Sequence, residues 1–255
     1  KIDAVIHLAG KAHDTKNESL AQTYFDINTE LTKKIFDYFL QSEAETFIFF
    51  SSVKAAADIV EGEILTENVV PTPKGAYGES KIKAEEYIQS KDWNGKRVYI
   101  LRPAMIYGTG NKGNLNLLYN VVKRGIPWPL GAFENRRSFC SINNISYVVE
   151  QLTRRRDIPS GIYHVSDDEA LSTNELIGLI CESVGKKPRI WNIPKQTINA
   201  VAAVGSILRL PLNKFRLQKL TENYVVSNEK IKQALNISKM PVGAKEELKN
   251  TFKSF

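Results

Sequence analysis

Thr46-Phe47-Ile48-Phe49-Phe50-Ser51-Ser52 is a short apolar run that ends in two hydroxyls. A run of this length without polar alternation is the pattern of a strand covered on both faces, which is how strands of a parallel sheet sit. Open α/β sheets bind ligands at the carboxyl ends of such strands, so Ser51 and Ser52 stand where chemistry is placed. Strand-like and helical patterns alternate around it: Ala4 to Ala9, a helix from about Leu20 to Leu40, the run ending at Ser52, a helix opening at Tyr77, and Val98 to Tyr107. That alternation predicts a parallel sheet with right-handed crossovers.

The Tyr77 helix carries Tyr77-Gly-Glu-Ser-Lys81, a phenol and an amine four residues apart on one helical face. The spacing alone is weak, because Tyr87/Lys91 and Tyr119/Lys123 share it. Context selects Tyr77. It follows a loop with Pro71, Pro73 and Gly75 and opens an amphipathic helix running to about Lys91, so its ring can stand at a cleft edge with Lys81 one turn on. Tyr87 and Tyr119 lie inside helices. A serine at the end of the Thr46 strand could reach the phenol.

After Gly108 the pattern loosens into a helix near Leu115 to Arg124, a short Phe139 to Ile142 segment, and a strand at Ile162 to Val165. Ser172-Thr-Asn-Glu175 is a capping box that opens a helix to about Val184, and helical patterns dominate from Lys195 onward. Gly108-Thr-Gly110-Asn-Lys-Gly113 has the spacing of a dinucleotide fingerprint. The Gly125 to Gly131 stretch that follows its helix holds Pro127 and Pro129 and cannot make the second parallel strand of that motif. These glycines are expected to shape a substrate loop.

The chain has 255 residues, 42% of them apolar, enough for one large domain or a domain with a lobe. A formal charge of +7 would suit a polyanion, yet the basic residues are scattered and not interleaved with aromatics, which argues against nucleic acid and leaves an anionic small substrate. Cys140 and Cys181 give no disulfide framework, and His7, His13 and His164 show no metal-ligand pattern, so no metal is expected and the expected setting is the cytoplasm. The apolar stretch Ile198 to Leu212 is interrupted by Asn199, Gly205, Ser206 and Arg209, so it reads as a packed or membrane-surface helix and not as a span.

With these residues placed, the chain resembles the extended short-chain dehydrogenase/reductases, specifically the NAD-dependent epimerase/dehydratase family that includes UDP-glucose (UDP-galactose) 4-epimerase. The markers stand in order: Val5-Ile-His-Leu-Ala-Gly10, Asn28, Phe49-Phe-Ser-Ser52, Tyr77 with Lys81, Leu101-Arg-Pro103, Tyr107-Gly108 and Arg137. The resemblance implies a Rossmann-like parallel sheet with helices on both faces and a small, mostly helical C-terminal substrate lobe. Residues 1–112 would be the remainder of the dinucleotide-binding domain, and 113–255 mainly the lobe, with 139–166 returning to the sheet. The family opens with a strand and a G-x-x-G-x-x-G turn for the pyrophosphate, and this first βαβ portion of about sixty residues precedes the part of the family pattern matched here. A longer native protein is therefore expected, because without that portion the Ala4 to Ala9 strand would be an unpaired apolar edge.

The family mechanism would give Tyr77 the proton of a sugar hydroxyl while hydride passes to NAD, with Lys81 favouring the phenolate and holding the nicotinamide ribose. Ser52 would hydrogen-bond the same sugar oxygen, Ser51 being its near-equivalent. By resemblance Ala9, Gly10, Lys11, Asn28, Ser51, Tyr77, Lys81 and Pro103 face the cofactor, NAD or NADP. Tyr107, Asn114, Leu115, Arg137 and Arg216 would contact a UDP-sugar, the arginines at its diphosphate. His7 is read as a core strand histidine. The family's 4,6-dehydratases follow the catalytic Ser/Thr with Asp-Glu, whereas Ser52 precedes Val53-Lys54, so water elimination is not expected. A 4-epimerase is favoured over a 4-ketoreductase of a UDP-4-keto-6-deoxy sugar, and a non-catalytic binding protein is the remaining alternative. A homodimer through the Leu20 to Leu40 and Tyr77 to Lys91 helices is expected from the resemblance.

Overall fold

A computed structural model of the chain describes residues 2–12, 20–111, 113–208 and 213–255. His13 lies outside the described residues. Four strands, β1 (Ala4–His7), β2 (Thr46–Phe50), β3 (Arg97–Pro103) and β6 (Gly161–Val165), form one parallel sheet in the order β1-β2-β3-β6. The two short strands between them in sequence, β4 (Met105–Tyr107) and β5 (Phe139–Ser141), pair with each other as a separate sheet.

Alternation along β2 and β3 explains why both runs are apolar throughout. Phe47, Phe49, Val98 and Ile100 face a core built with Phe36 and Phe39 of helix α2 (Leu31–Gln41) and with Ala84 and Ile88 of helix α4 (Gly75–Gln89). Ile48, Tyr99 and Leu101, on the other parity, are also fully buried. Burial on both faces is the condition of a parallel sheet's interior strands. β1 has one neighbour in the described sheet, and Ile2, Ile6 and Leu8 beside it are exposed.

Three elements differ from the sequence pattern. The helix expected from Leu20 to Leu40 is α1 (Ala21–Phe25), one π turn (Asp26–Glu30) and then α2, with the buried Asn28 on the π turn. Such turns displace a side chain from its helical position, and here the displaced residue has work to do. The strand expected from Val98 to Tyr107 breaks at Ala104, whose N–H donates to the Val165 carbonyl before the next three residues pair with β5. The Phe139 segment therefore does not return to the parallel sheet.

Contacts divide the chain into two compact units: Lys1–Met105 with Asn143–Ser166 and Val226–Pro241, and Ile106–Ile142 with Asp167–Val225 and Val242–Phe255. The sheet unit thus ends earlier than residue 112 and takes back a second segment, 226–241, that sequence pattern does not reveal. It includes α3 (Val53–Ala56), most of α6 (Ile142–Arg154) and α10 (Glu229–Leu235). The second unit holds α5 (Asn114–Lys123), α7 (Thr173–Ser183), α8 (Lys195–Ile207), α9 (Lys214–Thr221) and α11 (Ala244–Lys253). Its α7 starts with the expected capping box, Ser172 Oγ accepting from the Glu175 N–H at 3.1 Å while Glu175 accepts from the Ser172 N–H at 2.9 Å.

Candidate active site

β1, β2 and β3 end side by side, and the residues after them line the edge that a parallel sheet offers to ligands. Ser52 caps α3 by accepting from the Lys54 N–H at 3.2 Å. This short helix lies close against α4 because Gly78 has no side chain: a Cβ there would stand 2.5 Å from the Lys54 carbonyl oxygen. The close approach sets Ser52 beside Tyr77 in the first turn of α4. Burial pushes the Tyr77 phenol above its ordinary pKa, the neighbouring Ser52 hydroxyl opposes that rise, and Tyr24, whose ring meets Tyr77 edge-on at 6.4 Å, adds to it.

Lys81 lies one turn further along α4 and is buried. Its ammonium donates to the Phe50 carbonyl at 2.7 Å and stands 4.8 Å over the Phe49 ring. Burial lowers its pKa to about 8 against the pull of the Glu85 carboxylate. Within this chain the Lys81 ammonium is engaged by the Phe50 carbonyl, and desolvation dominates the phenol.

Asn28 organises the ground behind this pair. Its Oδ1 accepts from the Lys11 N–H at 2.7 Å, and its Nδ2 donates to the Lys11 carbonyl at 3.0 Å and to Ser80 Oγ at 2.9 Å. Ser80 in turn donates to the Tyr77 carbonyl at 2.9 Å, so the segment after β1 and the first turn of α4 share one polar chain. Ala9 and Gly10 are exposed at the strand end. A Cβ on Gly10 would come within 2.9 Å of Lys81 Nζ and 3.2 Å of Asn28 Oδ1, so glycine is what this close approach requires. Lys11 places its ammonium 5.5 Å over the Tyr24 ring, and Pro103 is buried at the end of β3. His7 is a core residue, its Nε2 2.8 Å from Thr32 Oγ1.

Ser51 does not share the role of Ser52. It donates to Glu85, which pairs with Arg102 through contacts of 3.0, 3.1 and 2.6 Å. Both members of the pair are sealed from solvent, so Ser51 serves a buried ion pair and is turned from the cofactor contact expected of it. Sequence reasoning missed Glu85 and Arg102. The signal was present: an arginine inside Val98-Tyr-Ile-Leu-Arg-Pro103 needs a buried acid, and Glu85 is one turn beyond Lys81.

In the second unit, Tyr107 and Leu115 are core residues. The Tyr107 hydroxyl donates to Asp167 at 2.8 Å, and burial followed by that carboxylate drives its pKa far above the ordinary value. Leu115 is buried in α5, while Asn114 is exposed at its first position. Arg137 donates to the Lys219 carbonyl and lies 3.7 Å from Glu222, and its buried Nε has no hydrogen-bond partner. Burial lowers the Arg137 pKa and Glu222 raises it. Arg216 is exposed in the first turn of α9.

The sheet and its cluster define a Rossmann-like α/β protein whose tyrosine, lysine and serine stand together at the ligand-binding edge. The chain belongs to the NAD dependent epimerase/dehydratase family, a family of enzymes whose model matches residues 1–164. It is 32% identical over 197 residues to the UDP-glucose 4-epimerase of Vibrio cholerae, covering 74% of this chain and 59% of that protein. It is 26% identical over 197 residues to the N-acetyl-alpha-D-glucosaminyl-diphospho-ditrans,octacis-undecaprenol 4-epimerase of Escherichia coli O157:H7, covering 75% of this chain and 58% of that protein. The chain thus spans about three-fifths of the length of these curated relatives. Among solved structures, MoeE5 in complex with UDP-glucuronic acid and NAD superposes with a TM-score of 0.74 at 18% identity, over 99% of this chain and 79% of that one. The UDP-N-acetylglucosamine 4-epimerase from Bacillus cereus gives 0.72 at 20% identity, over 98% and 78%. Both share the fold.

Proposed function

We propose that the protein is an NAD-dependent nucleotide-sugar 4-epimerase acting on a UDP-hexose through a transient 4-keto sugar. The observation that carries this reading is the placing of Tyr77, close enough to Ser52 to feel its hydroxyl, beside the buried Lys81. Two hydroxyls held side by side can share a third, that of the sugar C4. Tyr77 takes the C4 hydroxyl proton in oxidation and returns it in reduction, while Ser52 holds the same oxygen as it changes from alcohol to ketone. Lys81, charged at neutral pH with its pKa near 8, keeps a positive charge beneath the site. Bound NAD would supply the acceptor, and then the donor, of the C4 hydride.

The strand-end residues fit the nicotinamide half of such a cofactor. Gly10 lets Lys81 and Asn28 approach the strand end, Ala9 and Lys11 flank it, and Asn28 fixes Lys11 from behind, while Pro103 closes β3. Asn114, Arg137 and Arg216 are the proposed substrate contacts. Arg137 offers an unpaired buried donor suited to a diphosphate oxygen. A homodimer through α2 and α4 and a cytoplasmic setting belong to the same reading.

One observation favours a second reading. The Tyr77 phenol, held above its ordinary pKa, suits one-way proton donation to a ketone, the task of a 4-ketoreductase. Incubation with UDP-glucose, UDP-galactose and their N-acetyl forms in the presence of catalytic NAD separates the two. An epimerase interconverts a pair with no net change in cofactor. Consumption of NAD(P)H by a 4-keto sugar, without interconversion, would replace the first reading with the second.

A further inference from the structure

Helix α8 buries one narrow face. Ile198, Ala202 and Gly205 pack inward, where Ile198 and Ala202 meet Leu130 and Leu217. Water should meet a polar face on the other side, yet that side presents Val201 and Val204, each 51% exposed, with Ile207 at 81% and Leu208 at 62%. The spacing of Val201, Val204 and Leu208 puts them in one stripe along a helix of about 20 Å. Phe215 on α9 is 68% exposed, and Trp191 shortly before α8 is 56% exposed. These are the large apolar side chains that a free surface avoids collecting.

Charge identifies the occupant. From Ser183 to Thr221 the sequence holds eight Lys and Arg residues and no Asp or Glu. Lys195 begins α8 and Lys214 begins α9, and both are exposed. A second copy of the chain would bring this largely basic segment against itself, and the cores of protein interfaces are depleted in lysine. A nucleic acid would find aliphatic side chains where it needs polar donors and stacking aromatics. Exposed aliphatics with a Phe, on a segment rich in cations, are the composition of a helix lying in a lipid interface.

We infer that the α8–α9 face docks on the surface of an anionic phospholipid bilayer. The aliphatic stripe enters the boundary between headgroups and acyl chains, and Lys195 and Lys214 meet headgroup phosphates. The helix lies on the membrane. Among the described residues no helix is long and apolar enough to cross one. This inference does not depend on the epimerase reading.

Flotation of the protein with vesicles tests it. Phosphatidylcholine vesicles are compared with vesicles in which about a third of the lipid is phosphatidylglycerol, at low and raised salt. The protein should float with the anionic vesicles, remain behind with the neutral ones, and release as salt rises. Val204→Glu with Ile207→Glu should lower binding about tenfold or more, and Lys195→Glu with Lys214→Glu about tenfold, with melting temperature and solution mass unchanged. Absence of flotation, equal flotation on both vesicles, or indifference to all four substitutions would overturn the inference. So would a fall in solution mass in the glutamate variant with lipid binding intact, which would make a second copy the occupant.

Discussion

Glu85 acts on three side chains behind this site. It accepts from Ser51, pairs with Arg102, and holds the Lys81 pKa above where burial alone would leave it. A buried pair of this kind is hard to break from one side, because the survivor keeps its charge without a partner. Arg102→Met or Glu85→Gln alone should destabilise the protein by about 3–5 kcal/mol, while replacing both by apolar residues of similar volume should be far milder. Urea unfolding of the three variants checks this. Equal loss in the single and double variants would show that packing, and not charge, is what the pair contributes. At this scale the site was half legible. Tyr77, Lys81, Ser52 and Asn28 stand together as their types and spacing imply. Ser51 and Ser52 could not be told apart, since the partner that separates them lies 34 residues away on α4. Tyr107 carries the same phenol as Tyr77, and only its contact with Asp167, 60 residues on, makes it a core residue.

The element on which the proposed chemistry depends most is α3, one turn long. Ser52 reaches Tyr77 because α3 lies against α4 at Gly78. Gly78→Ala places a Cβ against the Lys54 backbone, which must move, and such overpacking costs about 1–3 kcal/mol. Turnover in this variant should fall more than the modest stability loss explains, since displacement of α3 separates Ser52 from Tyr77. Activity measured well below the melting temperature, beside the melting curve itself, checks this. Full activity would mean that the Ser52 contact is not needed. Strand existence was readable from apolar runs bounded by polar residues, and the capping box marked the start of α7. Strand partnership was not. The apolar run from Val98 to Tyr107 looks continuous, and only the hydrogen bond from Ala104 to Val165 shows where it leaves one sheet for another. The π turn at Asp26–Glu30 had one local sign, an asparagine inside a helical pattern, which is a poor choice unless its side chain has partners.

Over the whole molecule, two buried histidines tie stability to pH. His7 is lowered to about 4, first by burial and then by the Lys81 charge, and His164 to about 3, first by burial and then by Arg102. In the unfolded chain both titrate near the ordinary imidazole value of 6.5. Between pH 6.5 and 4 the unfolded state therefore binds protons that the folded state refuses, so stability falls as acid is added through that window. Urea midpoints should drop from pH 7 to pH 4.5. The drop should shrink when His7 and His164 are both replaced by residues that do not titrate, whatever the absolute stability of that variant. An unchanged pH slope would assign the effect to other groups.

The central claim is that Tyr77 moves the proton at the sugar C4. Its most direct test is turnover of Tyr77→Phe on the UDP-sugar pair that the parent interconverts, followed by NMR of the C4 configuration, with circular dichroism to confirm the fold. Phenylalanine keeps the ring and its edge contact with Tyr24 and removes only the oxygen. Turnover should fall about a hundredfold to ten-thousandfold with the fold intact. Interconversion at the parent's rate by the phenylalanine variant would contradict the account.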